Sequence, residues 1–212
     1  MSTKQKRYFL TEEEIPTQWY NIQADMTTKP MPPLNPSTKE PLTVDDLAQI
    51  FPRECCVQEL DTENAWIDIP EDVLEKYKFY RSTPLVRAYA LEEALGTPAH
   101  IYFKNESVNP LGSHKINSAL PQCYYAKQEG TENVTTETGA GQWGMALSYA
   151  SKLYGLEAAV YQVKITMQQK PYRSTVMRTF GAAVTASPSM STRAGKDIIT
   201  RDPRHPGSLG TA

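Results

Sequence analysis

The chain has 212 residues, 40% of them hydrophobic and 9% aromatic, and 22 Lys plus Arg against 24 Asp plus Glu leave a net charge of −2. This is the composition of an ordinary folded domain and excludes collagen, coiled-coil and disordered classes. The near-neutral balance offers no basic surface for phosphate neutralisation, and no stretch reaches the ~18 apolar residues that span a bilayer, so neither nucleic acid nor membrane is an expected partner.

The N-terminal stretch carries Lys4, Lys6 and Arg7 with no apolar run behind them, which gives no export signal and an expected cytoplasmic location. Eight of the 16 prolines precede Arg81, yet the first glycine is Gly96, and this divides the chain into an extension over 1–80 and a second region over 81–212. Pro30, Pro32, Pro33, Pro36 and Pro41 predict a strap running extended over a surface. Thr43 ahead of Asp46, Leu47 and Ile50 predicts a short capped helix, and Pro70-Glu-Asp ahead of Val73 and Leu74 predicts another. Cys55, Cys56 and Cys123 are odd in number, and the first two are adjacent, which suits reduced thiols and neither a disulfide framework nor a metal site.

From Arg81 onward strand-like runs alternate with segments of helical period. Helix is predicted at Ala90 to Leu95, strand at His100 to Lys104, helix from about His114 to Lys127, strand at Asn133 to Thr136, and helix from Gln142 to Leu153. There follow strand Ala158 to Lys164, helix Tyr172 to Phe180, strand Ala182 to Ala186, and a helix opening near Thr192. The alternation predicts an α/β fold, a three-layer parallel sheet with flanking helices. Pro121 falls inside one of these helices and predicts a kink there.

Two constellations could carry chemistry. Gly139-Ala140-Gly141-Gln142-Trp143-Gly144 fits G-x-G-x-x-G between a strand and a helix, the pattern of a nicotinamide-binding Rossmann turn. An acidic residue should then close the next strand, and Val163-Lys164 stands there instead. Thr135-Thr136-Glu137-Thr138 is also too polar for a buried parallel strand. A glycine turn at a helix start favours any small anion, a carboxylate as well as a phosphate. Glu137 at its lip suits a group that exchanges protons with a reacting centre, or else a solvated carboxylate at a strand end. In the second constellation, Pro110-Leu111-Gly112-Ser113-His114-Lys115-Ile116-Asn117, Ser113 is the predicted N-cap and Lys115 lies in the first helical turn, where the dipole disfavours a cation. A partly desolvated lysine is what Schiff-base chemistry with a carbonyl cofactor requires. His114 beside it could cap an anion.

Together, Gly112-Ser113-His114-Lys115-Ile116-Asn117 and Glu137-Thr138-Gly139-Ala140-Gly141-Gln142 resemble the signature stretches of the tryptophan synthase β chain. Arg81-Ser82-Thr83-Pro84-Leu85, Tyr102-Phe103-Lys104-Asn105-Glu106 and Gln169-Lys170-Pro171-Tyr172-Arg173 resemble its second class, type 2. The resemblance implies the type II fold of pyridoxal-phosphate enzymes and a β-replacement that condenses L-serine with indole to L-tryptophan and water. It implies that Lys115 holds pyridoxal 5'-phosphate and moves the α-proton, and that Glu137 assists departure of the β-hydroxyl. Thr138, Gly139, Ala140, Gly141 and Gln142 would hold the substrate carboxylate, with His114 beside the cofactor phosphate and Gln142 also near the cofactor. A monovalent cation with unlocated ligands, a homodimer in the complete form and an α-chain partner come with the same resemblance. Trp143 departs from the histidine of the classical chain but is compatible with the second class, which leaves the preference for the acceptor undecided. Members of the family continue well past residue 212, so the fold is expected to be incomplete, with the second domain largely absent. The alternatives are a catalytically silent fragment or interaction module, and the nicotinamide-binding domain.

Overall fold

The computed structural model describes residues 4–212. In chain order its elements are β1 (Arg7–Tyr8), β2 (Gln18–Tyr20), α1 (Val44–Leu47), α2 (Arg53–Leu60), β3 (Trp66–Asp68), α3 (Glu71–Lys78), β4 (Leu85–Arg87), α4 (Tyr89–Leu95) and β5 (Tyr102–Lys104). They continue with α5 (Ile116–Gln128), β6 (Asn133–Thr138), α6 (Gln142–Tyr154), β7 (Glu157–Val163), α7 (Lys164–Gln169), α8 (Pro171–Thr179), β8 (Ala183–Ser187) and α9 (Arg193–Arg201). The chain forms two compact units, one from the described residues up to Trp19 together with Asp68–His114, the other from Tyr20–Ile67 and Lys115–Ala212.

The first unit is built on an antiparallel sheet of order β1-β4-β5, with Arg7 opposite Val86 and Val86 opposite Phe103. The parallel alternation expected from Arg81 onward therefore begins later, and the strand around Tyr102 has a partner in β4. The reason is local. Glu92 accepts from Arg87 Nε at 3.0 Å and from the Ile101 N–H at 2.7 Å, so α4 folds back beside its own strands instead of crossing the sheet. Val73 and Tyr77 of α3 are buried in this unit, as the Pro70 start predicts.

In the second unit β6, β7 and β8 form a parallel sheet in that order, with Thr138 opposite Gln162 and Gln162 opposite Ala186. Side chains alternate across a strand. Val134, Val160 and Val184 fall on one face and pack with Met145 of α6, Met177 of α8, Ala158 and Ala182. This is the α/β architecture of parallel strands and flanking helices. Thr135 and Glu137 point to the other face and are exposed. Their polarity is explained by position, since β6 is an edge strand.

Several boundaries differ from the periodic reading. Lys164 does not end β7 but opens α7: Thr166 Oγ1 donates to the Val163 carbonyl at 2.8 Å, and the Ile165 N–H donates to Pro206 O at 2.9 Å. Helix α2 went unpredicted because Arg53–Leu60 has no side-chain cap and no concentrated apolar stripe. Helix α5 continues through Pro121, its sixth residue, which has no N–H to donate back along the helix, while Ile116, Ala119, Leu120, Cys123 and Ala126 are buried along it. The proline strap doubles back at Asn35, whose N–H donates to Glu40 O at 2.8 Å beside a Leu34 to Pro41 bridge. Helix α1 has the expected cap, with Asp46 N–H on Thr43 Oγ1 at 3.2 Å and Thr43 N–H on Asp46 Oδ2 at 2.8 Å.

Candidate active site

A short connection takes α5 into the start of β6, and another takes the end of β6 into α6, so both helices run against the strand and parallel to each other. Their packing agrees. Cys123 Sγ meets Ser151 Oγ at 3.6 Å, and the rings of Tyr124 and Tyr154 lie 6.0 Å apart. From Ile116 to Cys123 is about 10 Å of helix, and from Gln142 to Ser151 about 13 Å, so the two helices begin within about one turn of each other. Lys115 and the glycine turn thus occupy the same end of the second unit, at the carboxyl edge of its parallel strands. That edge is where open α/β sheets bind their ligands.

Lys115 is half-buried and forms the N-cap of α5 in helical conformation. Ser113 is therefore not the cap expected from sequence. It is instead buried in the loop of the first unit, its carbonyl accepting from Asn109 Nδ2 at 2.8 Å and its N–H donating to Asn109 Oδ1 at 3.3 Å. That partnership takes the backbone of Ser113 out of the helix start. His114 closes the first unit and is exposed.

The turn after β6 is held from several sides. Thr138, 2% exposed, accepts the Gly144 N–H on its Oγ1 at 3.1 Å and so caps α6. Gly139 O accepts from Thr166 Oγ1. Ala140 O accepts from Arg173 Nη1 at 2.6 Å. Gly141 is the N-cap of α6 with φ of +95°, a conformation that favours glycine, and a Cβ there would lie 3.0 Å from Arg173 Cβ and 3.2 Å from Gln162 Nε2. Among the described residues the N–H groups of Ala140 and Gly141 donate to no backbone or side-chain acceptor. Gln142 opens the helix half-buried, and its N–H is one of the donors that a helix start leaves unpaired. The result is a cluster of outward N–H donors at the positive end of a 13-residue helix, suited to a small anion.

Glu137 lies two residues before this turn on the exposed face of β6, opposite the α6 side. Trp143 is fixed by its indole N–H, which donates to Thr136 Oγ1 at 2.8 Å. An open groove of about 690 Å³ follows the free edge of β6, lined by Phe51, Gln122, Cys123, Thr136, Trp143 and Leu147 among others. It shares Trp143 with the site but none of Lys115, Glu137 or residues 138–142.

Sequence reasoning placed Arg173 in a stretch that carries the resemblance without giving it a role, and passed over Thr166 and Gln162. The last left a signal, a glutamine inside an apolar strand run. It is fully buried, its Oε1 accepts from Ser174 Oγ at 2.9 Å, and its Nε2 has no hydrogen-bond partner among the described residues. The nicotinamide reading loses its last support, because β7 closes at Val163 and Lys164 begins a helix, with no carboxylate at the ribose position.

Residues 77–205 match the family model described as pyridoxal-phosphate dependent enzyme. Tryptophan synthase beta chain 2 of Thermotoga maritima is 53% identical over 203 residues, covering 96% of this chain and 48% of that protein. The protein of the same name from Aeropyrum pernix is 50% identical over 214 residues, covering 100% of this chain and 47% of its own length. That from Methanosarcina acetivorans is 47% identical over 212 residues, with 100% and 48% covered. The chain spans about half the length of the curated relatives it matches.

Proposed function

The chain belongs to the pyridoxal-phosphate dependent enzymes, and from that premise we propose that it carries the lysine and carboxylate-binding part of a tryptophan synthase β-type site, condensing L-serine with indole to give L-tryptophan and water. One observation carries the reading: Lys115 and the Gly139–Gly141 turn begin two parallel helices at the same end of the sheet, in a chain about half identical throughout to such β chains.

The residues present fit the cofactor. A half-buried primary amine stands at a helix start, and the neighbouring turn offers unpaired N–H donors over a glycine with no room for a side chain. When bound, pyridoxal 5'-phosphate supplies an electron sink for the substrate's α-carbon. Lys115 Nζ would hold the cofactor and would take and return the α-proton. Glu137 delivers a proton to the departing β-hydroxyl and takes part in the proton movements around indole. The Ala140, Gly141 and Gln142 N–H groups, with Thr138 and Gly139, hold the serine carboxylate. His114 would hold the cofactor phosphate, and Gln142 would also contact the cofactor. Trp143, pinned by Thr136, would form part of the acceptor wall. A monovalent cation, a homodimer of the complete form, an α-chain partner and a cytoplasmic setting belong to the same proposal. Among the described residues no helix is long and apolar enough to cross a membrane.

The half-length match is also compatible with a second reading, a silent fragment of such an enzyme. An absorbance scan with pyridoxal phosphate, before and after borohydride, followed by mass analysis of the peptide carrying Lys115 and an assay with serine and indole, separates the two. Reduced cofactor on Lys115 with tryptophan formed supports the enzyme, reduced cofactor without product supports the fragment, and an unmodified Lys115 overturns the assignment.

A further inference from the structure

We propose that Arg173 and Thr166 are positioning residues for the substrate carboxylate, holding two consecutive carbonyls of the glycine turn from behind and so aiming two consecutive N–H groups at one anion. The inference rests on the proposed use of that turn for the serine carboxylate. In a trans peptide the carbonyl of one residue and the N–H of the next point in opposite directions. Thr166 holds Gly139 O, which turns the Ala140 N–H to the other side. Arg173 holds Ala140 O at 2.6 Å, which does the same for the Gly141 N–H. Neither N–H has a backbone or side-chain acceptor among the described residues, as a preformed anion cradle requires.

The holds come from elements that are themselves fixed. Thr166 also donates to Val163 O at 2.8 Å, which ties it to the end of β7. Arg173 lays its aliphatic stem along Gly141, with Cβ and Cδ 3.0 and 3.1 Å from where a Cβ would stand. Beneath the same glycine, Gln162 is fixed by Ser174, the neighbour of Arg173 on α8. Arg173 therefore blocks, holds and adds positive charge behind the turn. Thr166 has a single hydroxyl proton for two carbonyls, whereas the guanidinium is charged and rich in donors, so Arg173 is the stronger hold.

The test is a titration of the isotopically labelled 212-residue chain with L-serine, with and without pyridoxal phosphate, following the amide resonances of Ala140 and Gly141. In the unaltered chain both amides shift as serine binds. Arg173→Met should weaken serine binding about tenfold and lose the Gly141 response first. Arg173→Lys, which keeps charge without the planar fork, should fall between. Thr166→Val should give a smaller loss centred on Ala140, restored by Thr166→Ser. Resonances of β8 and α9 report whether each variant is folded, and the lysine variant carries the test where the methionine variant is not. Unchanged affinity and an unchanged Gly141 response in a folded Arg173 variant would overturn the inference alone. No response at Ala140 or Gly141 in the unaltered chain would overturn the carboxylate reading itself.

Discussion

Gly144 lies flat against Met177: a Cβ built on the glycine would stand 2.6 Å from Met177 Sδ, and 2.9 Å from both Thr138 Cγ2 and Val160 Cγ1. The last glycine of the Gly139 to Gly144 pattern is thus a packing residue that lets α6 approach the sheet, while Gly141 serves the turn. Two of the three neighbours are β-branched and stiff at χ1, and Met177 is fully buried, so little can give. Gly144→Ala should cost about 1–3 kcal/mol through overpacking, despite the better helix propensity of alanine. Urea unfolding measures it, and a variant as stable as the parent would show that α6 can lift without penalty.

Lys115 and Glu137 are expected to separate the two halves of the chemistry. Lys115→Ala should leave no borohydride-stable cofactor on the chain while the turn at Ala140 and Gly141 still takes serine. Glu137→Ala should keep both properties and lose β-hydroxyl departure by about 10²–10⁴-fold in rate, the usual worth of a positioned acid. An intact cofactor attachment after Lys115→Ala would remove that lysine from the site.

The lysine and the glycine turn were legible because each sits where the pattern changes from one period to another, and helix starts are where sequence punctuation is strongest. Even there the register slipped: Asn109, four residues upstream, takes both backbone groups of Ser113, and no local rule for caps includes that competitor. The roles of Arg173 and Thr166 were illegible for a different reason. These residues lie 33 and 27 residues from the carbonyls they hold, and reach them only after the chain has gone through α6 and β7. The antiparallel β4 and β5 were hidden likewise, since α4 suits a crossover as well as a return, and the Arg87 to Glu92 pair decides between them.

That pair gives the first unit an acid sensitivity. Glu92 accepts from Arg87 Nε at 3.0 Å and Nη2 at 3.2 Å, and also from the Ile101 N–H, while Arg87 stacks 4.5 Å from the Tyr89 ring centre. The Arg87 hydrogen bonds hold the Glu92 carboxyl below the usual carboxylate range. A depressed carboxyl contributes stability that is present above its unfolded value and lost as pH falls through its folded value. Protection of the Val86 and Phe103 amides from hydrogen exchange should therefore drop below about pH 4.5. Glu92→Gln should lower that protection at neutral pH and flatten its dependence on pH; an equally steep profile in the variant would assign the acid response to other carboxyls.

The buried thiols should give the second unit an alkaline limit. Burial pushes the Cys123 thiol up to about 11, against a small opposing effect of its contact with Ser151, and burial with the neighbouring Cys56 pushes Cys55 up to about 12. All three cysteines are free, with Cys56 and Cys123 buried. A raised thiol is favoured as the neutral form in the folded state, so its contribution is complete below about pH 9 and is lost as pH rises from there toward 11. For Cys123 the loss should approach about 1.4 kcal/mol per pH unit, and for the partly exposed Cys55 it should be smaller. Iodoacetamide at pH 8 should accordingly label the native chain slowly and all three thiols quickly in urea, because the thiolate is the nucleophile. Cys123→Ala should leave a stability profile that falls less steeply above pH 9. Rapid labelling of Cys123 in the native chain would mean that α5 and α6 open at Ser151 far more readily than their packing implies.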